Sequence, residues 1–163
     1  MLAISVHLRL YAQGFQWTIF FFILVVCSSL QAVNFHYLLE DHADPSAPVI
    51  ERRGRGTASG EVLHPAGLIL PADRLFREFV LDAETLQVGY ADFVSPAVGL
   101  SMELPTFDLG PDPWGDADGD GLGGMGEYIV GTDPSQWDTD GEGVSDAAEV
   151  RQGTNPTDGM GNL

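Results

Sequence analysis

Two stretches near the C-terminus decide how the chain is read: Asp116-Ala-Asp118-Gly-Asp120-Gly121-Leu122-Gly-Gly-Met-Gly-Glu127, and Asp138-Thr-Asp140-Gly-Glu142-Gly143-Val144-Ser-Asp146-Ala-Ala-Glu149. Each sets oxygen-bearing side chains at loop positions 1, 3, 5 and 12 and a glycine at position 6, the spacing of an EF-hand-type calcium loop. Carboxylates two residues apart converge on one ion only where the chain curls tightly, and the glycine permits that turn. The predicted ligands are therefore Asp116, Asp118, Asp120 and Glu127 in the first loop, and Asp138, Asp140, Glu142, Asp146 and Glu149 in the second. Leu122 and Val144, at position 7, would give only backbone carbonyls and turn their side chains toward a core. Position 9 is Asp146 in the second loop but Gly124 in the first, so water must fill that place and the first site is expected to be the weaker.

Oxygen ligands favour Ca2+, with Mg2+ a poorer fit, because calcium accepts the flexible six-to-eight-coordinate shell that glycine-rich loops offer. From Asp108 to Leu163 there is no histidine or cysteine, which removes zinc, copper and iron-sulphur readings. The pattern extends beyond the loops. Asp116 to Asp138 and Glu127 to Glu149 are both 22 residues, and Gly131-Thr132-Asp133-Pro134 returns as Gly153-Thr154-Asn155-Pro156 at the same interval. Glycine lets the chain leave a helix end and the proline cannot continue one, so each unit reads as loop, short helical turn and stop. Helices this short are unstable alone, so metal is expected to hold this part together.

Residues 114 to 159 resemble bacterial thrombospondin type 3 repeats on these motifs: Asp116, Asp118, Asp120 and Glu127, then Asp138, Asp140, Glu142 and Glu149, punctuated by Asp133-Pro134 and Asn155-Pro156. The resemblance implies tandem calcium sites in a secreted or cell-surface protein of a bacterial envelope. Glu142 departs from the aspartate usual at position 5. Dockerin modules are a second comparison, but they need longer amphipathic helices after each loop.

Composition fits an acidic calcium binder. The net charge is -17, lysine is absent, and 13 of the 24 acidic residues lie from Asp108 onward. Such a field repels nucleic acid and anionic lipid and attracts divalent cations. Histidines and serines are scattered without a triad order, so no enzyme is expected.

At the other end, Arg9 precedes the apolar run Trp17 to Cys27, which reads as a hydrophobic signal or anchor helix with cleavage after Ala32 or Ser29. Membrane contact is expected only through that segment left uncleaved or through a lipid on Cys27, and the single cysteine excludes an internal disulfide. The expected organisation is a signal peptide or anchor over 1–32, a linker over 33–56 containing Arg52, Arg53 and Arg55, a small β-rich domain over 57–109, and two calcium-binding repeats over 110–163. The fold class is thus a mainly β small domain plus irregular calcium-binding repeats with short helical turns. Within 57–109, Leu86, Val88 and Tyr90 alternate with Gln87, Gly89 and Ala91, predicting a hairpin across Asp82 to Glu84 against a competing helix over 72–86. The function predicted is an exported calcium-binding structural or spacer protein. Its alternatives are a module that recognises a cell-surface protein or glycan through Trp114, Trp137 and Tyr90, or a dockerin-like module.

Overall fold

The computed structural model describes residues 3–9, 22–26, 33–58, 70–97 and 107–159. Its central element is a four-stranded antiparallel sheet of β3 (Val33–Asp41), β4 (Val49–Ala58), β5 (Leu75–Asp82) and β6 (Val88–Val94), in the order β4-β3-β5-β6. Two short helices, α1 (Gly124–Val130) and α2 (Asp146–Gln152), follow. Near the N-terminus β1 (Ala3–Arg9) pairs with β2 (Phe22–Val26) and with β7 (Phe107–Asp108) in a second, three-stranded sheet.

The expected fold class is corrected on two counts. The described part is a mixed α/β arrangement in which sheet and helices share one core, and the expected N-terminal signal or anchor helix is not seen. Phe22–Val26, the C-terminal half of the apolar run, is a strand whose Ile23 and Val25 lie opposite Leu8 and Val6. The aromatic and β-branched residues that make the run apolar also favour a pleated strand, so hydropathy alone could not separate the two. Residues 10–21 and both expected cleavage positions lie outside the described residues. No described helix is long and apolar enough to cross a membrane, and the proposed N-terminal anchor is withdrawn with it.

A further correction concerns 33–56. This expected linker supplies β3 and most of β4, paired from Val33↔Ala58 to Asp41↔Val49 with a bulge at Leu39/Glu40. Its Arg-Gly-Arg-Gly stretch holds a period of two after all. Gly54 and Gly56 lie opposite Tyr37 and Phe35. A Cβ on either glycine would come within 2.5 or 2.6 Å of those rings, so only glycine leaves room for them. Arg53 and Arg55 alternate with the glycines and face the other way.

Between β5 and β6 the chain reverses as the predicted hairpin, over Asp82 to Gln87, with Asp82 N donating to Gln87 O at 2.9 Å and Leu86 N to Asp82 O at 2.8 Å. Asp82 Oδ1 accepts from Glu84 N and Thr85 N. Leu86 adopts a positive φ of 57°, unusual for leucine, and its burial holds it there.

The core lies between one sheet face and the helices. Leu38, Phe79, Leu81, Ala83, Leu86 and Val88 pack against Leu122, Met125 and Ile129 of the first repeat and Ala147 and Val150 of the second. The opposite sheet face, with Phe35, Tyr37, Leu39, Phe76, Val80 and Phe93, is buried too. A seven-residue helix cannot hold itself together. Each fully buried side chain removed from water stabilises by about 1.5–3 kcal/mol, so burial of Leu122, Ile129 and Val150 contributes to holding these helices.

Candidate metal centre

Both loops fold into the same hydrogen-bonded curl. Asp116 accepts from Gly119 N at 2.8 Å and Gly121 N at 3.0 Å; Asp138 accepts from Gly141 N and Gly143 N, each at 2.7 Å. Asp118 accepts from Asp120 N, and Asp140 from Glu142 N. Asp120 accepts from Leu122 N at 2.6 Å, and Glu142 from Val144 N at 3.1 Å. Gly121 and Gly143, at position 6, have φ of 100° and 99°, a region that a Cβ disfavours. The 22-residue sequence repeat is therefore a repeat of backbone geometry.

The curl gathers two carboxylate sets. Oxygens of Asp116, Asp118 and Asp120 lie within 4.8 Å of one another, as do oxygens of Asp140, Glu142 and Glu149. Each set could coordinate a divalent metal ion. Glu127 and Asp138 fall outside these two tight groups. Leu122 turns its side chain into the core, as position 7 requires, whereas Val144 is half-buried.

Position 12 carries the most demanding groups. Glu127 and Glu149 are each only 1% exposed, delivered by α1 and α2. Neither Glu127 oxygen has a hydrogen-bond partner, and Glu149 keeps one bond, from Thr154 Oγ1 at 3.1 Å to Oε1, while Oε2 has none. Asp118 Oδ2 and Glu142 Oε2 are also buried without partners. Loss of water around Glu127, followed by the charges of Asp118 and Asp120, pushes its carboxyl up to about 8. Burial likewise raises Asp118, Asp146 and Glu149. Clustered carboxylates without hydrogen bonds are costly unless protonated or bound to a cation, so the donor set suits a hard divalent ion.

Asp146, at position 9 of the second loop, makes a contact that its position does not announce. Its two oxygens accept from Thr139 N at 3.0 Å and Thr139 Oγ1 at 2.7 Å, clamping position 2 of its own loop to the start of α2. The first loop has Ala117 and Gly124 at those two positions, so both halves of the clamp are replaced together. There, Asp112 takes over: it accepts from Trp114 N and Gly126 N, each at 2.8 Å, and caps α1 as Ser145 caps α2.

The sequence reading missed how the repeats dock. Arg53 donates to Tyr128 O at 3.1 Å, while Arg55 donates to Gly153 O at 2.7 Å and Thr154 O at 2.9 Å. One arginine thus meets the carbonyl end of each repeat helix, where the helix dipole favours a cation. The alternation of Arg and Gly was the available signal. Tyr128 also reaches across to donate to buried Glu40, which His42 contacts at 2.8 Å.

Comparison with protein-family models, with curated proteins and with solved structures found no match.

Proposed function

We propose that residues 110 to 163 bind two calcium ions and that the ions act structurally, locking two short helices onto the sheet. The observation that carries this reading is Glu127, a carboxylate 1% exposed with both oxygens unpartnered, beside Asp118 and Asp120. The resemblance to thrombospondin type 3 repeats supports the same assignment. Calcium is favoured over magnesium because a glycine-rich loop of several carboxylates fits a large flexible shell better than a strict octahedron.

In this role Asp116, Asp118, Asp120 and Glu127 hold one ion, and Asp138, Asp140, Glu142 and Glu149 the other, with the carbonyls of Leu122 and Val144. When bound, the ions supply positive charge that offsets the mutual repulsion of the carboxylates. Native mass spectrometry of the full chain with calcium, magnesium or chelator tests the reading. Two calcium ions per chain and a calcium-dependent gain in unfolding temperature are expected. An unchanged mass and melting curve in millimolar calcium would defeat it.

A second reading has its own observation. Six of the large apolar side chains left exposed are Ile50, Leu75, Tyr90, Val94, Trp114 and Trp137, and two of these end a continuous aromatic chain. Trp114 contacts Tyr128 at 5.7 Å, Tyr128 contacts Phe79 at 5.9 Å, and Phe79 contacts Tyr90 at 5.8 Å. Exposed rings flanked by the Arg77–Asp92 and His42–Glu40 pairs suit a neutral glycan, which offers apolar ring faces and hydroxyls together. Calorimetry of the calcium-saturated protein against neutral oligosaccharides, repeated with Trp114→Ala, decides it. Heat that Trp114→Ala abolishes supports a glycan site, and no heat with the parent protein removes it.

A further inference from the structure

The two loops are joined by contacts that their sequences do not announce. Asp120, at position 5 of the first loop, turns one oxygen to its own Leu122 N and the other to Ala147 N, 27 residues on, at 2.7 Å. Ala147 lies in the first turn of α2, is fully buried, and packs in the same core as Leu122. The same α2 carries Glu149, whose carboxylate completes the second acidic set. Asp146, also fully buried, stands between the loops while holding Thr139 of the second. We infer that the first turn of α2 couples the two metal loops into one binding unit, so that filling either site strengthens the other.

The route is short and physical. Glu149 would be a ligand of a cation in the second loop, and that bond would hold α2 in place. A fixed α2 holds Ala147 N against Asp120, which orients that carboxylate for the first ion before the ion arrives. In reverse, a cation held by Asp116, Asp118 and Asp120 fixes Asp120 and, through the same hydrogen bond, the start of α2. Coupling between sites is reciprocal by thermodynamic necessity, which makes the proposal easy to break.

The inference rests on calcium binding by both loops, and the experiment separates the two claims. Calcium titrations of the full chain are run by calorimetry, with equilibrium dialysis for the ion count, on the parent, Glu149→Gln and Asp116→Asn. The parent should bind two ions with a Hill coefficient above 1. Each variant should bind one ion, about tenfold more weakly than the parent binds it, within the usual range for coupled sites. The two weakening factors should agree. Two ions bound independently, or variants that keep the parent affinity at the intact site, would overturn the coupling and leave the sites standing. No ions bound by the parent would overturn both. Circular dichroism of each variant checks that the sheet persists; if one fails to fold, the other decides, and parent affinity at its intact site rejects the proposal.

Discussion

Calcium entry should release protons, and Glu127 sets how many. Its carboxyl is raised to about 8, first by loss of solvent and then by Asp118 and Asp120. At pH 7 such a group is roughly nine-tenths protonated, whereas a metal ligand must be ionised. Binding at the first loop should therefore expel about 0.9 proton at pH 7 and about 0.5 at pH 8. The apparent affinity of that loop should fall about tenfold, or about 1.4 kcal/mol, for each pH unit below 7. Calorimetry in two buffers of different ionisation enthalpy reads the proton count directly. Glu127→Gln should remove most of the release and flatten the pH slope while weakening binding, because the amide offers one oxygen and cannot ionise. Two ions bound at pH 7 with no proton released, or a Glu127→Gln variant with the parent slope, would refute the assignment. The same shift governs the metal-free fold. The folded carboxyl holds its proton more tightly than the unfolded one, whose ordinary value is 4.5, so this stabilisation is complete below pH 4.5 and is lost as pH rises through 8.

Three further outcomes are expected. Glu78, 2% exposed on the sheet face away from the helices, is raised to about 8 by burial, so wild-type stability should decline from pH 6 to pH 9 by a component that calcium does not restore and that Glu78→Gln abolishes; denaturant melts at both pH values measure it. Arg55→Ala should cost about 1 kcal/mol in urea unfolding, because its exposed guanidinium meets two helix-end carbonyls, and a change below about 0.3 kcal/mol would show that the contact is idle. Gly123→Ala should cost about 1–3 kcal/mol, since the new Cβ would lie 2.4 Å from Asp112 Cβ and Cγ and force the α1 cap apart; a thermal melt equal to the parent would contradict the geometry.

The acidic loops were legible because their spacing is fixed by backbone sterics. Position 6 needs a positive φ, which shows in sequence as Gly121 and Gly143, and Leu122 at position 7 of the first loop faces inward, while Val144 is half-buried. The β5–β6 hairpin was legible from local alternation, but the buried face was not: along β6 it carries Gly89, Ala91 and Phe93, and Tyr90 is exposed. The β3–β4 pair was not. Its Arg and Gly residues have no apolar period of their own, and their purpose emerges only across strands, where Phe35 and Tyr37 lie over glycines and the arginines reach segments 75 to 99 residues away. The clamp of Asp146 on Thr139 was not legible, because loop position alone does not show which neighbours a carboxylate accepts from. The described part of the N-terminal run, Phe22–Val26, was misread because hydropathy does not distinguish a helix from a strand when phenylalanine, isoleucine and valine supply it.

Arg53 and Arg55 stand two residues apart on one strand, and the units they engage stand 22 residues apart in the chain. Strand β4 therefore acts as a ruler with two notches, about 7 Å apart, that converts a long interval of sequence into a short step in space. Beyond Arg55 the rest of β4, through Ala58, has no cationic residue. Duplicating a repeat within this chain would be simple genetically, but the added copy would arrive at a seat without a charge to receive its helix. Lengthening the array would demand a longer β4 with another arginine in phase, so strand and repeat number are tied to change together.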